Sequence, residues 1–308
     1  MTDVVTKTAV PPQLAGAANR LSPTQRMLKE AWTRTSFKVG LFVFVGLIAA
    51  ALIYPEFSST DPTKMNIRAR FVPPLFLGEN WSWAHPFGTD HLGRDLFLRC
   101  LIGLRWSVLI GCSSVIMMFA IGCGLGMYAG FKGNWTDTII MRITDAQLSI
   151  PFIILAITIL GVSRPTVPAI ILVLGLSSWP LYARVARSVT LSEKGKEYIR
   201  AQRVLGATDW RILILFLAPA ILPPIAFVAV LDVARMMIFE AILGFIGLGI
   251  QPPTPSFGSI IADGRKYLIN AWWIATMPGV LLLVTLTSLN LMGAALEKAR
   301  NDVLRGAA

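Results

Sequence analysis

An all-α integral membrane protein with six transmembrane helices is the fold class that this 308-residue sequence predicts. Three observations predict it. Apolar residues make up 55% of the chain and charged residues only 15%, against roughly 25% charged residues in a soluble domain. Apolar runs of bilayer-spanning length, roughly 17–25 residues, recur along the sequence. Basic residues collect in alternate segments between those runs. The runs therefore describe one membrane bundle. A net charge of +11 would suggest nucleic acid in a soluble protein. Here it reads as positive charge on cytoplasmic loops, so membrane lipid is an expected partner and nucleic acid is not.

The elements follow in order. Residues 1–37 read as a cytoplasmic tail. Within it Met1–Thr24, rich in Ala, Pro, Thr and Val, is expected to be disordered, and Leu28–Thr35 predicts a short interfacial helix with Trp32 at headgroup depth. No cleavable signal peptide is expected, because the first apolar run starts only near Val39, behind a polar, basic stretch. Residues 38–54 are the first span, and 55–104 an extracytoplasmic loop with an amphipathic segment. That loop holds Trp81 and Trp83, then HPFGTDHLGRDLFLR from His85, where Gly88 and Gly93 suggest turns and Asp95 the cap of a helix entering the second span. The core, 105–297, contains five further spans: Ser107–Ala129, Ile139–Leu160, Thr166–Ala183, Ile212–Met236 and Ile274–Leu296. Pro252–Trp273 carries Pro252, Pro253 and Pro255, so it cannot be one straight helix. It reads as an outer loop or a broken re-entrant segment. Residues 298–308 form a second cytoplasmic tail. With the N-terminus inside, 18 basic residues fall on the cytoplasmic side and 9 outside, with Arg235 uncounted. That bias places both termini inside.

Several kinds of chemistry are excluded by what the sequence lacks. There is no G-x-x-x-x-G-K-[ST] phosphate cradle, no G-x-S-x-G and no H-E-x-x-H. Cys100, Cys112 and Cys123 have no metal-ligand or redox spacing. The two histidines, His85 and His91, lie outside the spans and match no metal motif beside Asp90 and Asp95. No catalytic residue and no metal site is expected. Gly122, Gly126 and Gly130 fall four apart on one helix face, a pattern that lets helices approach closely. Ionisable residues within the membrane are the candidate pathway or gating groups: Asp145 in the third span, Asp232 and Arg235 in the fifth, and Glu240 just beyond it. Asp232 and Arg235 are three apart and can pair, as can Arg142 and Asp145. Glu240 has no local partner, which makes it the stronger functional candidate. An ion-coupled secondary transporter using Asp145, Asp232 and Glu240 is the rival reading. Such carriers show two pseudo-symmetric halves, and no repeat is visible here.

The most informative stretch is Glu197–Pro219, a charged helical segment that begins within the cytoplasmic coupling loop 187–211 and lies between two long apolar runs. Arg184–Arg211 mixes seven basic with three acidic residues. It places Ala201, Val204 and Leu205 on one side, an apolar strip that needs a partner groove. Gly206 sits where the helix should end.

The sequence R-A-Q-x-x-x-G at Arg200–Gly206, with Pro219 thirteen residues on, resembles the EAA loop of ABC importer permeases. Only Ala201 matches the Glu-Ala-Ala of that pattern; Arg200 and Gln202 depart from it. HPFGTDHLGRDLFLR, GNWTDTIIMRITDAQLSIP and GFIGLGIQPPTPSFGSIIADGR are similar to the C-type subunit of dipeptide, oligopeptide and nickel permeases. The resemblance covers about residues 38–300. It implies the transmembrane fold of a type I importer half in the bacterial inner membrane. The implied partners are a B-type permease subunit, two cytoplasmic ATPase subunits and an extracytoplasmic solute-binding protein. ATP and Mg would be bound by the ATPases and no cofactor by this chain. The ATPase-coupling loop would comprise Glu197, Arg200, Ala201, Gln202, Gly206 and Ala207. Peptides are the leading substrate that the resemblance implies, with nickel chelates, opines and oligosaccharides as alternatives.

Overall fold

The computed structural model describes residues 23–58, 60–75, 77, 81–162 and 165–305. Most of the stretch Met1–Thr24 lies outside them. Helix α1 (Pro23–Thr33) is followed by α2 (Thr35–Phe57), α3 (Leu96–Lys132), α4 (Asn134–Leu148), α5 (Phe152–Val162) and α6 (Val167–Lys194). A short α7 (Glu197–Val204), the long α8 (Asp209–Phe245), α9 (Phe257–Gly264) and α10 (Trp273–Arg305) complete the bundle. No strand occurs among the described residues.

Five helices, α2, α3, α6, α8 and α10, are long and apolar enough to cross a bilayer. The sixth crossing needs α4 and α5 together, and these are bent by 83° at their break. The sequence predicts one continuous span at Ile139–Leu160. The structure corrects this: Pro151 has no N–H to extend the helix and disfavours a helical conformation at Ile150. The freed groups turn back locally, with the Ser149 backbone N–H bonding to the carbonyls of Asp145 and Ala146 at 3.2 Å each.

The spans also run past their predicted ends. Helix α3 starts at Leu96 rather than Ser107, because the Asp95 side chain accepts the Leu98 N–H at 2.7 Å and caps it as expected. At 37 residues it is about 55 Å long at 1.5 Å per residue, well beyond the roughly 30 Å of hydrocarbon. Helix α6 continues to Lys194, so Arg187–Lys194, predicted as loop, is helical. Helix α8 continues past Met236 to Phe245, which takes Glu240 into the span. Helix α10 runs on to Arg305, through most of the predicted tail. Pro252–Trp273 is broken as predicted, into α9 and a single 3-10 turn at Arg265–Tyr267.

Helix α3 is the spine of the bundle, packing on α6, α8 and α2. The α3–α6 contact is the most extensive, and glycine makes it possible. A Cβ at Gly122 would lie 2.5 Å from the Trp179 carbonyl oxygen, one at Gly126 would collide with the Ala183 backbone, and one at Gly130 would meet Arg187 and Thr190. The predicted small-residue face is the helix–helix seam. In lipid such close packing, rather than exclusion of water, drives helix association. Helix α1 lies against the far end of α10, burying Met27 and Ala31 with Ala295, Leu296 and Ala299. Large apolar side chains such as Phe42 and Ile116 point outward, as a bilayer-facing surface allows.

Candidate functional site

Helix α7 is a short amphipathic helix set between the ends of α6 and α8. Its buried side is Ile199, packed with Phe131 of α3 and with Ile212, Leu213 and Leu217 at the start of α8. Its other side is open: Ala201, Val204 and Leu205 are exposed, as predicted, and Trp210 joins them. Val204 is 86% exposed and Leu205 77%, which is far from the resting place that apolar side chains of this size usually find.

The helix ends through a backbone motif that Gly206 makes possible. Gly206 has φ +77°, a left-handed conformation that costs an L-residue about 1–2 kcal/mol. The Ala207 N–H bonds to the Gln202 carbonyl and the Gly206 N–H to the Arg203 carbonyl, both at 3.0 Å. These are the two bonds of a Schellman cap. Thr208 then caps the first turn of α8 through the Arg211 N–H. A Cβ on Gly206 would meet nothing within 4 Å, so the glycine is required by the backbone angle alone.

Charges pin this element to the bundle. Lys194 donates to the Phe131 carbonyl at 2.5 Å, and the Arg203 guanidinium lies over the Phe131 ring. Lys132 pairs with Asp209 at 2.9 Å. The Glu193 carboxylate accepts from Lys196 Nζ and from the Tyr198 hydroxyl, each at 2.6 Å. Partial burial, and then that bond to Glu193, push the Tyr198 hydroxyl up to about 12. Glu197 and Arg200 are exposed, while Gln202 and Ala207 are half-buried.

The intramembrane ionisable residues separate into three environments. Asp232 and Arg235 pair as predicted, Nη2 to Oδ1 at 2.8 Å, with Asp232 buried and the Arg235 side chain 41% exposed. The Tyr182 hydroxyl lies beside Asp232 without a well-formed hydrogen bond. Asp145 does not pair with Arg142. It accepts from Arg184 Nη2 of α6 at 2.6 Å, with both side chains half-exposed. Nearby, Arg187 clasps Asp137. These pairs tie α4 to α6 across the bundle, a contact that spacing along one helix cannot reveal. Glu240 is fully buried and accepts from Ser107 Oγ of α3 at 2.6 Å; its other oxygen has no partner. It therefore lies within the packing between α3 and α8, away from any open surface. Sequence reasoning missed Ser107, Arg184, Phe131 and Ile199. Each acts through a residue remote in sequence, and only the isolated apolar Ile199 among polar neighbours carried a local signal.

At the opposite end of the bundle the HPFGTDHLGRD segment folds into a buried polar knot. Asp90 accepts from the Leu92 and Arg94 N–H groups at 2.9 Å each and from Arg94 Nε at 2.6 Å, with Arg99 Nε 3.7 Å away. His85 Nδ1 is 2.7 Å from Asp95, and His91 stacks on Tyr267. Trp273 Nε1 donates to the Thr89 carbonyl at 3.2 Å. Gly88 and Gly93 adopt positive φ where a Cβ would strike backbone, so the predicted turns are strict requirements. These residues are engaged in structure. Among the described residues no three His, Cys, Asp or Glu side chains gather as a metal would need.

Comparison with known proteins places this geometry in context. The family described as binding-protein-dependent transport system inner membrane component matches residues 122–302. The chain is 34% identical over 285 residues to the di/tripeptide transport system permease protein DppC of Pseudomonas aeruginosa (strain UCBPP-PA14), covering 91% of this chain and 94% of the relative. It is 35% identical over 251 residues to the probable D,D-dipeptide transport system permease protein DdpC of Escherichia coli (strain K12), covering 82% of each. It is 32% identical over 267 residues to the dipeptide transport system permease protein DppC of Haemophilus influenzae, covering 87% of this chain and 90% of the relative. Among solved structures, the inward-facing MetNI methionine ABC transporter superposes with a TM-score of 0.53 at 22% identity, covering 68% of this chain and 96% of that one. That likeness is one of fold.

Proposed function

This chain belongs to the family of binding-protein-dependent transport system inner membrane components, and from that premise we propose that it forms half of a peptide pathway in an ATP-driven importer. Its fold is that of a type I ABC importer permease, and the chain is a multi-pass membrane subunit of C type. Di- or oligopeptides are the proposed cargo, a reading supported by relatives named as dipeptide and di/tripeptide permeases. The proposed partners are a B-type permease, two ATPase subunits that bind ATP and Mg, and a solute-binding protein. Both termini and α7 would lie on the cytoplasmic side.

The observation that carries the coupling role is α7 itself. A helix with one buried residue, Ile199, ends in exposed Val204 and Leu205, and across a Gly206 turn with open space around it the first turn of α8 adds exposed Trp210. An exposed apolar strip of this kind is suited to a groove on another protein. Glu197, Arg200 and Gln202 would form its polar rim, and Ala201 and Ala207 would permit close approach. Closure of the ATPases would then push α7, and through its anchors α3 and α8, toward alternating access. ATP hydrolysis itself would take place on the partner chains.

The test is uptake in a strain deleted for this gene and complemented with it, comparing dipeptides, longer peptides and nickel. Peptide uptake restored together with loss of ATPase pull-down in a Val204→Glu/Leu205→Glu variant is the expected result. Uptake of nickel alone would move the substrate class. Normal uptake and pull-down in the variant would remove α7 from the coupling role.

A further inference from the structure

On one side of α8, Pro224, Val228, Leu231 and Arg235 recur at helical spacing and are all half-buried. Val228 packs on the core and Leu231 on Gly293 of α10, and Arg235 is the ionisable residue of the row. The stripe starts in the wall of a cavity of about 660 Å³ at the α7 end of the bundle, whose lining includes Pro219, Pro223 and Pro224 of α8, Ser192 and Glu193 of α6, and Arg300 of α10. It ends at Arg235, about 16 Å further along the helix at 1.5 Å per residue. On α6, Arg184 lies one turn from Ser188 and, paired with Asp145 of α4, is likewise half-exposed. Guanidinium groups of α6 and α8 are thus carried into the membrane, where lipid contact would be costly.

Arg235 is the unsatisfied member of this set. Its Nη2 bonds to Asp232 and 41% of the side chain is exposed, while its Nε, buried with no acceptor, is out of reach of a passing group. A guanidinium has five N–H donors in a planar fork and can take a second carboxylate beside the first. Asp232 fixes the group and leaves donors free.

We infer that Arg235 is a recognition residue of the translocation wall that takes up the C-terminal carboxylate of a peptide as it passes toward the cavity at Arg300. The inference rests on the peptide reading above. A carboxylate of the partner permease would use the same donors, and the test separates the two.

The experiment uses the complete transporter, reconstituted with its partner subunits in proteoliposomes. Uptake of dialanine and of dialanine amide is measured with saturating binding protein, whose affinity for each is measured separately. Arg235→Gln should lower dialanine uptake about tenfold or more relative to amide uptake by the same variant, the effect of losing a charge-assisted hydrogen bond. Arg235→Lys should restore part of the loss. A second measurement needs no amide transport: Arg235→Cys should react with a water-soluble thiol reagent, more slowly when dialanine is being transported. Unchanged dialanine uptake in Arg235→Gln, equal loss for both substrates, or no protection of Arg235→Cys would overturn the inference. Loss of the partner permease from the Arg235→Gln complex would assign the residue to the subunit interface instead. Failure of the wild-type complex to import either peptide would sink the peptide reading, and is recognised without any variant.

Discussion

At the scale of the residue, Glu240 shows how burial changes an argument made from sequence. With no local partner it reads as a functional acid, more exposed to damage than Asp145 with Arg142 nearby. In the fold it is sealed between α3 and α8 against Ser107. An unpaired buried charge there would be expensive, so a neutral side chain of the same shape should serve. Glu240→Gln is expected to transport within about twofold of wild type, whereas Glu240→Ala, which orphans the Ser107 hydroxyl, should lose roughly 1–3 kcal/mol. Uptake and thermal unfolding in detergent check both; a transport-dead, well-folded Glu240→Gln would return the acid to a functional role. Gly206 gives a cleaner pair. Asn tolerates the left-handed conformation, and nothing in this chain crowds the site. Gly206→Asn should therefore keep the ATPases bound, and Gly206→Asp, which adds a charge to be desolvated on docking, should lose them in a pull-down. If both variants bind equally, the position is a solvated turn.

At the scale of the element, the sequence disclosed one side of each contact. The four-residue glycine spacing at Gly122, Gly126 and Gly130 announced a close seam, but not that α6 would fill it. Gly126→Leu must push Ala183 away, and overpacking of this kind costs about 1–3 kcal/mol. The variant should assemble poorly and melt at a lower temperature, while Gly124→Leu, with open space around Gly124, should not; equal melting of the two would show that α3 and α6 separate easily. For α7, the exposed strip at Ala201, Val204 and Leu205 was legible from amphipathic spacing. Its anchor was not, because Ile199 finds Phe131 and Leu217 only after α3 and α8 converge. The break at Pro151 was readable in principle from one residue, yet apolarity on both sides hid it inside a single predicted span.

At the scale of the whole molecule, orientation is the open quantity that charge decides. The excess of basic residues near both termini and α7 predicts that this side is cytoplasmic. Cysteines placed at the exposed Lys29 and Lys298 should resist a membrane-impermeant thiol reagent in intact cells, and one at Arg68 should react. Labelling of Lys29→Cys or Lys298→Cys from outside would invert or break the six-crossing topology. The purified chain is also expected to hydrolyse no ATP, since its sequence has no phosphate loop; hydrolysis that follows this chain when free of its partners would refute the division of labour proposed here.

The membrane class, the Asp95 cap, the turns at Gly88 and Gly93 and the end of α7 at Gly206 were determined by the sequence alone. Each depends on hydropathy or on backbone chemistry within a few neighbouring residues, and such local causes are written in order along the chain. The partners of Asp145 and Glu240, the anchor of α7, the 83° bend and the stripe that leads to Arg235 were decided only by the tertiary structure. Those depend on which helices lie side by side, and Ser107 and Glu240 are 133 residues apart. Periodicity tells which face of a helix seeks a neighbour; only packing of the whole bundle selects the neighbour it meets.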